Sequence, residues 1–477
     1  MRTRRERDQL GERDVPGDAY YGINTLRAVE NFPISGLTIA SHPDLINALA
    51  TVKEAAALAN RDVGVLDLTI ADAIAVACEE IRRGALHDQF VVDVIQGGAG
   101  TSSNMNANEV IANRALELMG RPRGDYAAIH PNEHVNLGQS TNDVYPTALK
   151  IACWRGIEDL IAAMGTLGAA FATKAEELRD IVKVGRTQLQ DAVPMTLGQE
   201  LSAYAVMLDE DEQRLHEASI LLCEINLGAT AIGTGVTAHP EYAERARLHL
   251  ARLTGMPLVT AGHLVEATQD AGVFVQLSGV LKRIAVKLSK VCNDLRLLSS
   301  GPRAGFGEIN LPPVQAGSSI MPGKVNPVIP EVVNQIAYEV IGSDVTVSFA
   351  AEAGQLQLNA FGPIIAHNIL GSLRHLANGC RTLSDRCVRG ITANRERIAD
   401  LLDHSLALVT ALVPFIGYSS ASEIARVALE TGRGVRELVL ERRLLTPEEL
   451  DMILRPDALT EPHLQPRATS MAERGDS

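Results

Sequence analysis

Aromatic residues are scarce in this chain of 477 residues: they make up 4% of it and include one tryptophan, although hydrophobic residues reach 46%. Alanine, leucine, valine and isoleucine must therefore fill the interior, which favours helices packed on helices over a sandwich of sheets. The chain is also too long for one ordinary core, so two or three domains are expected. The composition predicts a mainly α fold.

Cofactor and metal motifs are missing as well. The six cysteines, at positions 78, 153, 223, 292, 380 and 387, show no CxxC spacing, so neither a zinc site nor a disulfide framework is predicted. The sequence has no cluster of metal ligands, no dinucleotide fingerprint and no Walker loop. We expect buried, reduced thiols in a cytoplasmic protein that requires no cofactor and no metal.

Neither the charge nor the apolar runs indicate nucleic acid or a membrane as a partner. The net charge of -14 argues against general nucleic-acid binding. The basic start at residues 1–7 leads into charged residues rather than an apolar run, so it is not a secretory signal. The longest apolar stretch, residues 406–416, is short and interrupted by Pro414, which predicts a buried helix end rather than a membrane span.

Two long apolar seams indicate helical rods. Apolar residues recur at spacings of three, four and seven in residues 201–222, and at spacings of three and four in residues 273–298. A seam sustained this long usually packs against other helices or other subunits, so we expect an oligomer. Further on, residues 446–449 read Thr-Pro-Glu-Glu and predict a helix that begins with a capping box.

Four polar clusters lie between the predicted helices, at residues 100–104, 139–143, 185–188 and 317–327. Singly, a run of serine, threonine and asparagine is more often a helix cap than a ligand site. Together the four clusters supply many neutral hydrogen-bond donors and one obvious lysine. This composition is suited to binding a small dicarboxylate.

The fourth cluster is the best candidate for chemistry. Gly317 and Gly323 allow backbone angles that other residues resist, and Lys324 adds a positive charge where an anion could form. Without a cofactor, such a site can still remove a proton next to a carboxylate, and that step needs a base. Ser318 is the candidate, because backbone N–H groups and a nearby ammonium favour its alkoxide. The alternative is that Ser318 is only a hydrogen-bond partner within the loop.

The same residues carry a resemblance to a known family. Residues 317–326 read Gly-Ser-Ser-Ile-Met-Pro-Gly-Lys-Val-Asn and match in full the signature GSSxMPxKxN of the fumarase and aspartase superfamily. The chain resembles this superfamily over nearly its whole length, including residues 11–16, 19–22, 104–109 and 444–446.

The resemblance implies a three-domain fold in which a central bundle of long helices assembles into a tetrameric helical core. Residues 1–141 would form an N-terminal domain with polar substrate-binding loops, and residues 142–396 a helical bundle that carries the signature loop. Residues 397–477 would form a small C-terminal helical domain with a frayed tail after Pro462. The family is homotetrameric, and its active sites combine loops from three subunits.

Three features favour the aspartase branch, aspartate ammonia-lyase, over fumarase. Residues 97–102 and 352–359 have the aspartase form. Fumarases carry histidine in the motif Gly-Arg-Thr-His, paired with a glutamate that matches Glu331, whereas this chain has Gln188. Hydroxide is a poor leaving group that needs a general acid, but the ammonium nitrogen of aspartate is already protonated. Gln188 therefore suits a carbon–nitrogen lyase, and Glu331 is left without its usual partner and without an assigned role.

The resemblance also implies a role for each matching residue. Ser318 would remove the proton from the carbon beside the side-chain carboxylate, and Lys324 would stabilise the developing charge. The side-chain carboxylate, as it takes on aci-carboxylate character, would be held by Thr101, Ser140, Thr141 and Ser319. The other carboxylate would be held by Thr187, Lys324, Asn326 and the backbone of Met321, and the amino group by Asn142, Gln188 and Thr101.

The expected reaction is the reversible deamination of L-aspartate to fumarate and ammonia through a carbanion. The alternatives are fumarate hydratase, which acts on malate and fumarate, and a catalytically silent scaffold, against which the intact signature argues. Magnesium activates some family members at a separate site, and no ligand spacing in this chain predicts one. Arg13 and Arg27 could help to steer anionic ligands, although exposed arginines are usually just solvated.

Overall fold

Helices dominate the computed structural model, which describes residues 3–460. Helical residues of all types make up 62% of the described residues, which confirms the predicted mainly α fold. The frayed tail predicted after Pro462 lies outside the described residues. The α-helices are α1 (Ile23–Asn31), α2 (Pro43–Asp62), α3 (Leu68–Arg82), α4 (Thr101–Leu118), α5 (Thr141–Glu177), α6 (Leu197–Leu221), α7 (Tyr242–Thr254), α8 (Leu264–Ala267), α9 (Gly272–Leu298), α10 (Val328–Glu352), α11 (Gly362–Arg386), α12 (Arg395–Asp403), α13 (Ala407–Thr431), α14 (Val435–Glu441), α15 (Pro447–Ile453) and α16 (Pro456–Thr460).

The strands between residues 3 and 460 are short and pair two by two. Three pairs are antiparallel and one is parallel. The antiparallel pairs are β1 (Thr3–Asp8) with β2 (Gly11–Pro16), β3 (Val182–Thr187) with β4 (Gln190–Thr196), and β7 (Ile309–Asn310) with β8 (Thr392–Ala393); the parallel pair is β5 (Glu224–Ile225) with β6 (Val259–Thr260). The first hairpin was not predicted, because its mostly charged residues show no alternation of apolar side chains.

The chain divides into two compact units. The first contains the residues up to Ala163 together with residues 211–286 and 335–378, and the second contains residues 164–210, residues 287–334 and the residues from Gly379 onward. Each of the five internal boundaries falls inside one of the long helices α5, α6, α9, α10 and α11. The three-domain division expected from the sequence stays a prediction.

Helix α2 forms the centre of the first unit. It packs against α3, α4 and α7, and most of its residues are buried. Alanines at positions 55, 56, 57 and 59 are fully or almost fully buried, and their small side chains let the neighbouring helices approach closely. A helix that is buried on nearly all sides has no obvious place for a charge, yet Lys53 lies in its middle and is also buried.

The predicted helical rods correspond to α6 and α9. The seam of α6 includes Leu201, Tyr204 and Leu208, all buried, and the seam of α9 continues through buried Leu277, Ile284 and further apolar residues to Leu298. The spacing of three and four residues thus identified the core face of both helices correctly.

Helices α13, α14 and α15 of the second unit share an apolar core. Buried residues of α13, α14 and α15 form it, among them Leu412, Ile424, Leu438 and Leu450. The predicted capping box is present at the start of α15: the Thr446 hydroxyl accepts the Glu449 N–H at 3.2 Å, and the Glu449 carboxylate accepts the Thr446 N–H at 2.9 Å.

Helix α13 is the one described helix that is long and apolar enough, by length and composition alone, to cross a membrane. Its backbone leaves helical geometry at Gly417, where φ is 78° and ψ is 157°, and several of its apolar residues belong to the core described above. The helix therefore runs past Pro414 before it breaks, whereas the sequence predicted a helix end there. The core helices of soluble proteins share this length and composition.

Candidate active site

The loop before α4 has an unusual backbone. Gly98, Ala99 and Gly100 all adopt left-handed conformations, with φ values of 91°, 56° and 92°. This turn ends at Thr101, the first residue of α4, whose hydroxyl donates to the Gly98 carbonyl at 2.7 Å. The Thr101 side chain is exposed. The glycines thus allow a tight turn that presents this threonine at a helix N-terminus, where the helix dipole favours an anion.

Gly100 should be intolerant of a side chain. A Cβ at this position would collide with the ring of Tyr145, whereas one at Gly84, which has a similar φ of +96°, would meet nothing within 4 Å. We expect Gly100→Ala to lower the free energy of unfolding by about 2 kcal/mol more than Gly84→Ala. Both variants place an alanine in a left-handed backbone conformation, but only at position 100 does the new methyl group clash with a neighbouring side chain. Denaturant unfolding of the two variants measures the difference. Equal losses would contradict this account.

Ser140, Thr141 and Asn142 lie at the start of α5. The Ser140 hydroxyl accepts the Asn142 N–H at 3.2 Å, and the Asp143 carboxylate accepts the Ser140 N–H at 3.0 Å. These reciprocal bonds cap the helix in the way that a Ser-Thr-Asn run predicts. The side-chain amide of Asn142 donates to the Ala231 carbonyl at 2.8 Å, which fixes its orientation. Thr141 is buried, and Ser140 and Asn142 are half-buried.

A network of buried amides connects this helix start to α4. The amide of Asn104, in the first turn of α4, donates to the Thr141 hydroxyl at 3.0 Å and to the Asn136 side-chain oxygen at 3.2 Å. The same Asn136 oxygen accepts the Lys53 ammonium at 2.8 Å and the Asn108 amide at 3.2 Å. The structure therefore brings the segments of Thr101 and Thr141 together through shared polar partners.

Two buried charges support the network. Burial lowers the pKa of Lys53 to about 7, although the nearby Asp143 carboxylate opposes this shift. Burial raises the pKa of Asp143 to about 6, although hydrogen bonds from the backbone N–H groups of Ser140, Thr230 and Gly228 oppose that shift. Neither Lys53 nor the asparagines as a group were predicted from the sequence. The sequence features that could have indicated this network are a lysine in an alanine-rich helix and side-chain amides at helical spacing in residues 104–108.

Thr187 and Gln188 lie at the turn of the β3–β4 hairpin. Gln188 and Leu189 have φ values of 54° and 61°, as in a two-residue turn of type I′, and Thr187 pairs with Gln190. We call residues 187–190 the hairpin tip. All four side chains are exposed, so the hydroxyl of Thr187 and the amide of Gln188 are available to a ligand.

The signature loop, residues 317–327, is closed by its own backbone. The Gly317 N–H donates to the Lys324 carbonyl at 2.8 Å, and the Asn326 amide donates to the Gly317 carbonyl at 2.8 Å. A Cβ on Gly317 would lie 2.7 Å from both the Asn326 nitrogen and the Lys324 carbonyl oxygen, so only glycine permits this closure.

Inside the loop, the Ser318 hydroxyl oxygen faces two backbone donors. It accepts the N–H groups of Ile320 at 3.2 Å and of Met321 at 2.9 Å. Ser319, Met321 and Lys324 are exposed, and Ser318 and Asn326 are half-buried. Two donors aimed at one oxygen stabilise its negative form, so this geometry favours ionisation of Ser318.

The predicted site residues thus fall into two sets. The first unit contains Thr101, Ser140, Thr141 and Asn142. The second unit contains the predicted site residues of the hairpin tip and the signature loop. Within the second unit, no hydrogen bond among the described residues joins the hairpin tip to the signature loop. Among residues 3–460 no group of three or more histidine, cysteine or acidic side chains could hold a metal ion.

Two arginines and one glutamate from the sequence analysis lie outside these sets. Arg27 makes a two-point ion pair with Asp8, at 2.7 and 2.8 Å, and Arg13 lies 3.6 Å from Glu30. The charge of Arg27 is therefore occupied within the first unit, whereas Arg13 is an exposed arginine with 44% of its side chain accessible. Glu331 lies in the first turn of α10 and makes no ion pair with another described residue.

The chain is similar to known lyases over nearly its whole length. The family model described as Lyase matches residues 11–342, and the model of the fumarase C C-terminus matches residues 408–461. An aspartate ammonia-lyase of Pseudomonas aeruginosa is 57% identical over 97% of this chain and 98% of its own length. That of Escherichia coli K12 is 53% identical over 96% of both chains.

Solved structures agree with this comparison. A fumarate lyase/delta crystallin from Brucella melitensis bound to cobalt aligns with a TM-score of 0.94 at 57% identity, over 97% of this chain and 100% of that one. A class II fumarase from Schistosoma mansoni aligns with a TM-score of 0.92 at 36% identity, over the same shares. The chain is therefore less similar in sequence to this fumarase than to the two ammonia-lyases.

Proposed function

The chain belongs to the fumarase/aspartase superfamily of lyases, and on that premise we propose that its signature loop carries the base of an aspartate-deaminating site. The reaction is the deamination of L-aspartate to fumarate and ammonia, that of a carbon–nitrogen lyase. Full-length identity of 53 to 57% to aspartate ammonia-lyases favours this reaction over fumarate hydration. The mainly helical fold is that of the fumarate lyases.

The observation that carries the proposal is the pair of N–H groups that face Ser318. A serine hydroxyl is ordinarily too weak an acid to act as a base near neutral pH. The N–H groups of Ile320 and Met321 would stabilise the alkoxide more than the neutral hydroxyl. The donors belong to a loop whose backbone is already closed by Gly317 and Asn326, so they need no rearrangement when the charge forms.

In the proposed reaction, the Ser318 alkoxide takes a proton from the carbon beside the side-chain carboxylate of aspartate. The electron pair of the broken C–H bond delocalises into that carboxylate, which becomes a doubly negative aci-carboxylate. The carbanion then forms the carbon–carbon double bond, the C–N bond breaks, and its electrons leave with the nitrogen. Because the nitrogen was an ammonium group, it departs as neutral ammonia, and the products are fumarate and protonated Ser318.

The remaining predicted residues would bind the substrate's charged groups. We assign the aci-carboxylate to Thr101, Ser140, Thr141 and Ser319, the other carboxylate to Thr187, Lys324, Asn326 and the Met321 backbone, and the amino group to Asn142, Gln188 and Thr101. Exposed hydroxyls at Thr101 and Thr187 and the helix N-terminus at Thr101 support these assignments. The donors are mostly neutral, so the ammonium of Lys324 supplies the site's one full positive charge.

Gln188 supports deamination over hydration. Its exposed amide can accept a hydrogen bond from an ammonium group through its oxygen, but it cannot protonate a leaving hydroxide. Glu331, the partner of the histidine in fumarases, makes no ion pair with another described residue and is left outside the mechanism.

Separate incubations with L-aspartate and L-malate test the function. Fumarate release, followed by its ultraviolet absorbance, is expected from aspartate and not from malate. Fumarate from malate alone would overturn the proposal in favour of a hydratase. Fumarate from neither substrate, with correctly folded protein, would favour a silent scaffold.

We further propose a homotetramer whose active sites are shared between subunits. An interface between subunits on α10 is supported by three exposed apolar residues at helical spacing. They are Tyr338, Val345 and Phe349, which are 58%, 53% and 71% exposed. The separation of the site residues into two sets also fits a site completed by other copies of the chain. A solution mass of one chain, measured by light scattering, would rule this out.

The three-domain division and a cytoplasmic location complete the proposal. The location is supported by six cysteines that are all buried and form no disulfide with one another. Fractionation of the native host, with activity followed in each fraction, tests this location.

A further inference from the structure

A buried cluster of four charges lies at the base of the β3–β4 hairpin in the second unit. The Lys183 ammonium lies 2.7 Å from the Glu200 carboxylate and 2.9 Å from the Glu308 carboxylate. The other oxygen of Glu308 lies 2.6 Å from the Arg186 guanidinium. The side chains of Lys183 and Glu308 are 2% and 1% exposed, so their charges are stabilised by each other rather than by water.

A β-bulge lies between the two cations that share the Glu308 carboxylate. Side chains of a regular strand alternate between its faces, so residues three positions apart, such as Lys183 and Arg186, would point in opposite directions. The pairing of β3 with β4 shifts register between Val184 and Arg186. The extra residue lies on β4, where Ala192 and Val193 together stand opposite Gly185. A Cβ on Gly185 would lie 2.6 Å from the Val193 carbonyl oxygen, so the two strands approach too closely here for a side chain. Such a bulge increases the local twist of the hairpin, and just after it Arg186 contacts the carboxylate that Lys183 also contacts, one residue before Thr187.

Glu308 is itself held rigidly. Its N–H donates to the Leu298 carbonyl and its carbonyl accepts the Asn394 N–H, both at 2.9 Å. The preceding Phe306 ring lies 4.2 Å from the Arg186 guanidinium, and the Phe306 carbonyl accepts a hydrogen bond from Arg397 at 3.2 Å. Arg186 is therefore fixed by an ion pair and by an aromatic face on the same short segment.

We propose that Glu308 is a positioning residue: through Lys183 and Arg186 it sets the orientation of the hairpin tip, and so of Thr187 and Gln188. The segment it belongs to continues through β7 into the signature loop, so the cluster connects the two parts of the second unit that carry predicted site residues. This inference rests on the proposed function, because it assumes that Thr187 and Gln188 bind the substrate.

Glu308→Gln keeps the shape of the side chain and removes its charge. We expect it to raise the KM for aspartate and the Kd for succinate, a non-reactive dicarboxylate, about 10-fold, with a smaller loss in kcat, because Thr187 binds a carboxylate that does not react. The matched control is Glu54→Gln, which breaks another buried glutamate–arginine pair, with Arg82, in the first unit. The control should lose stability but keep the KM for aspartate and the Kd for succinate within about twofold of wild type.

A double-mutant cycle tests whether Glu308 acts on the hairpin tip through Arg186. If Arg186 and Glu308 act through their ion pair, Arg186→Met combined with Glu308→Gln should raise the KM no more than the worse single variant. If the two substitutions instead raised the KM independently, so that their effects multiplied in the double variant, the proposal would be overturned. Should Glu308→Gln not fold, Arg186→Lys, which keeps the charge but loses the planar contact with Phe306, must still raise the Kd for succinate.

The outcomes separate this inference from the proposed function. An unchanged KM and Kd in Glu308→Gln, or equal changes in Glu54→Gln, would overturn the positioning role. Wild-type protein that binds succinate but releases no fumarate from aspartate would overturn the proposed function, while the succinate measurements would still decide the role of Glu308.

Discussion

Replacing Ser318 with alanine is expected to lower kcat for fumarate release by about 10³-fold or more, because the variant lacks the group that accepts the proton. The Kd for succinate should stay within about threefold of wild type, since Ser318 is not assigned to binding. The Ile320 and Met321 N–H groups lose their acceptor in this variant, but both residues are exposed and water can replace it. Stopped-flow or steady-state rates, together with calorimetric titration of succinate, measure the two quantities.

The neighbouring serine is the control for this prediction. Ser319 is exposed and is assigned to the aci-carboxylate rather than to proton transfer. Ser319→Ala should therefore lose much less, about 10-fold in kcat/KM, because one neutral hydrogen bond is removed. Near-wild-type kcat in Ser318→Ala, or equal losses in the two variants, would show that the base lies elsewhere.

Helix positions were predictable from the sequence where a single apolar face decides them. The seams of α6 and α9 repeat over many turns, and burial of that repeat fixes the orientation of each helix. The capping box of α15 was predictable for a similar reason, since all its atoms come from four consecutive residues. The β1–β2 hairpin was not, because its charged side chains carry no hydrophobic signal and the pairing depends on contacts within the first unit.

The candidate site was predictable at the level of loops. Runs of glycine, serine, threonine and asparagine identified the segments of Thr101, Ser140, Thr187 and Ser318, because such runs suit exposed turns and helix caps. Sequence alone could not show that two N–H groups face Ser318, since that depends on the closure between Gly317 and Lys324.

The supporting charges were not predictable, because burial of a lysine or glutamate depends on partners far away in the chain. Lys53 meets Asn136 and Gln139, and Glu308 meets Lys183 and Arg186. No short-range pattern connects these positions. Both groups stabilise segments that carry predicted binding residues, which suggests that the chain places costly buried charges where loops must be held in one geometry.

Replacing Lys324 with methionine is the second change with a large expected effect. Its ammonium makes no ion pair with another described residue, while its carbonyl is fixed by the Gly317 N–H, so the charge is free to meet a substrate. We expect kcat/KM for aspartate to fall by about 10²- to 10³-fold, because a full charge that faces the doubly negative intermediate is lost.

Unlike Ser318→Ala, the Lys324→Met variant should also bind succinate more weakly, since the same ammonium holds a carboxylate in the ground state. Arg303→Gln is the control, because it removes an exposed positive charge from the same unit without touching the signature loop. If both variants lose activity equally, the effect would come from the overall field of a protein whose net charge is -14, and not from a charge at the reacting group. A loss of kcat/KM that is confined to Lys324→Met, and that is almost the same at high salt, would assign the charge to the site. A direct contact between the Lys324 ammonium and the substrate is screened by salt far less than long-range attraction.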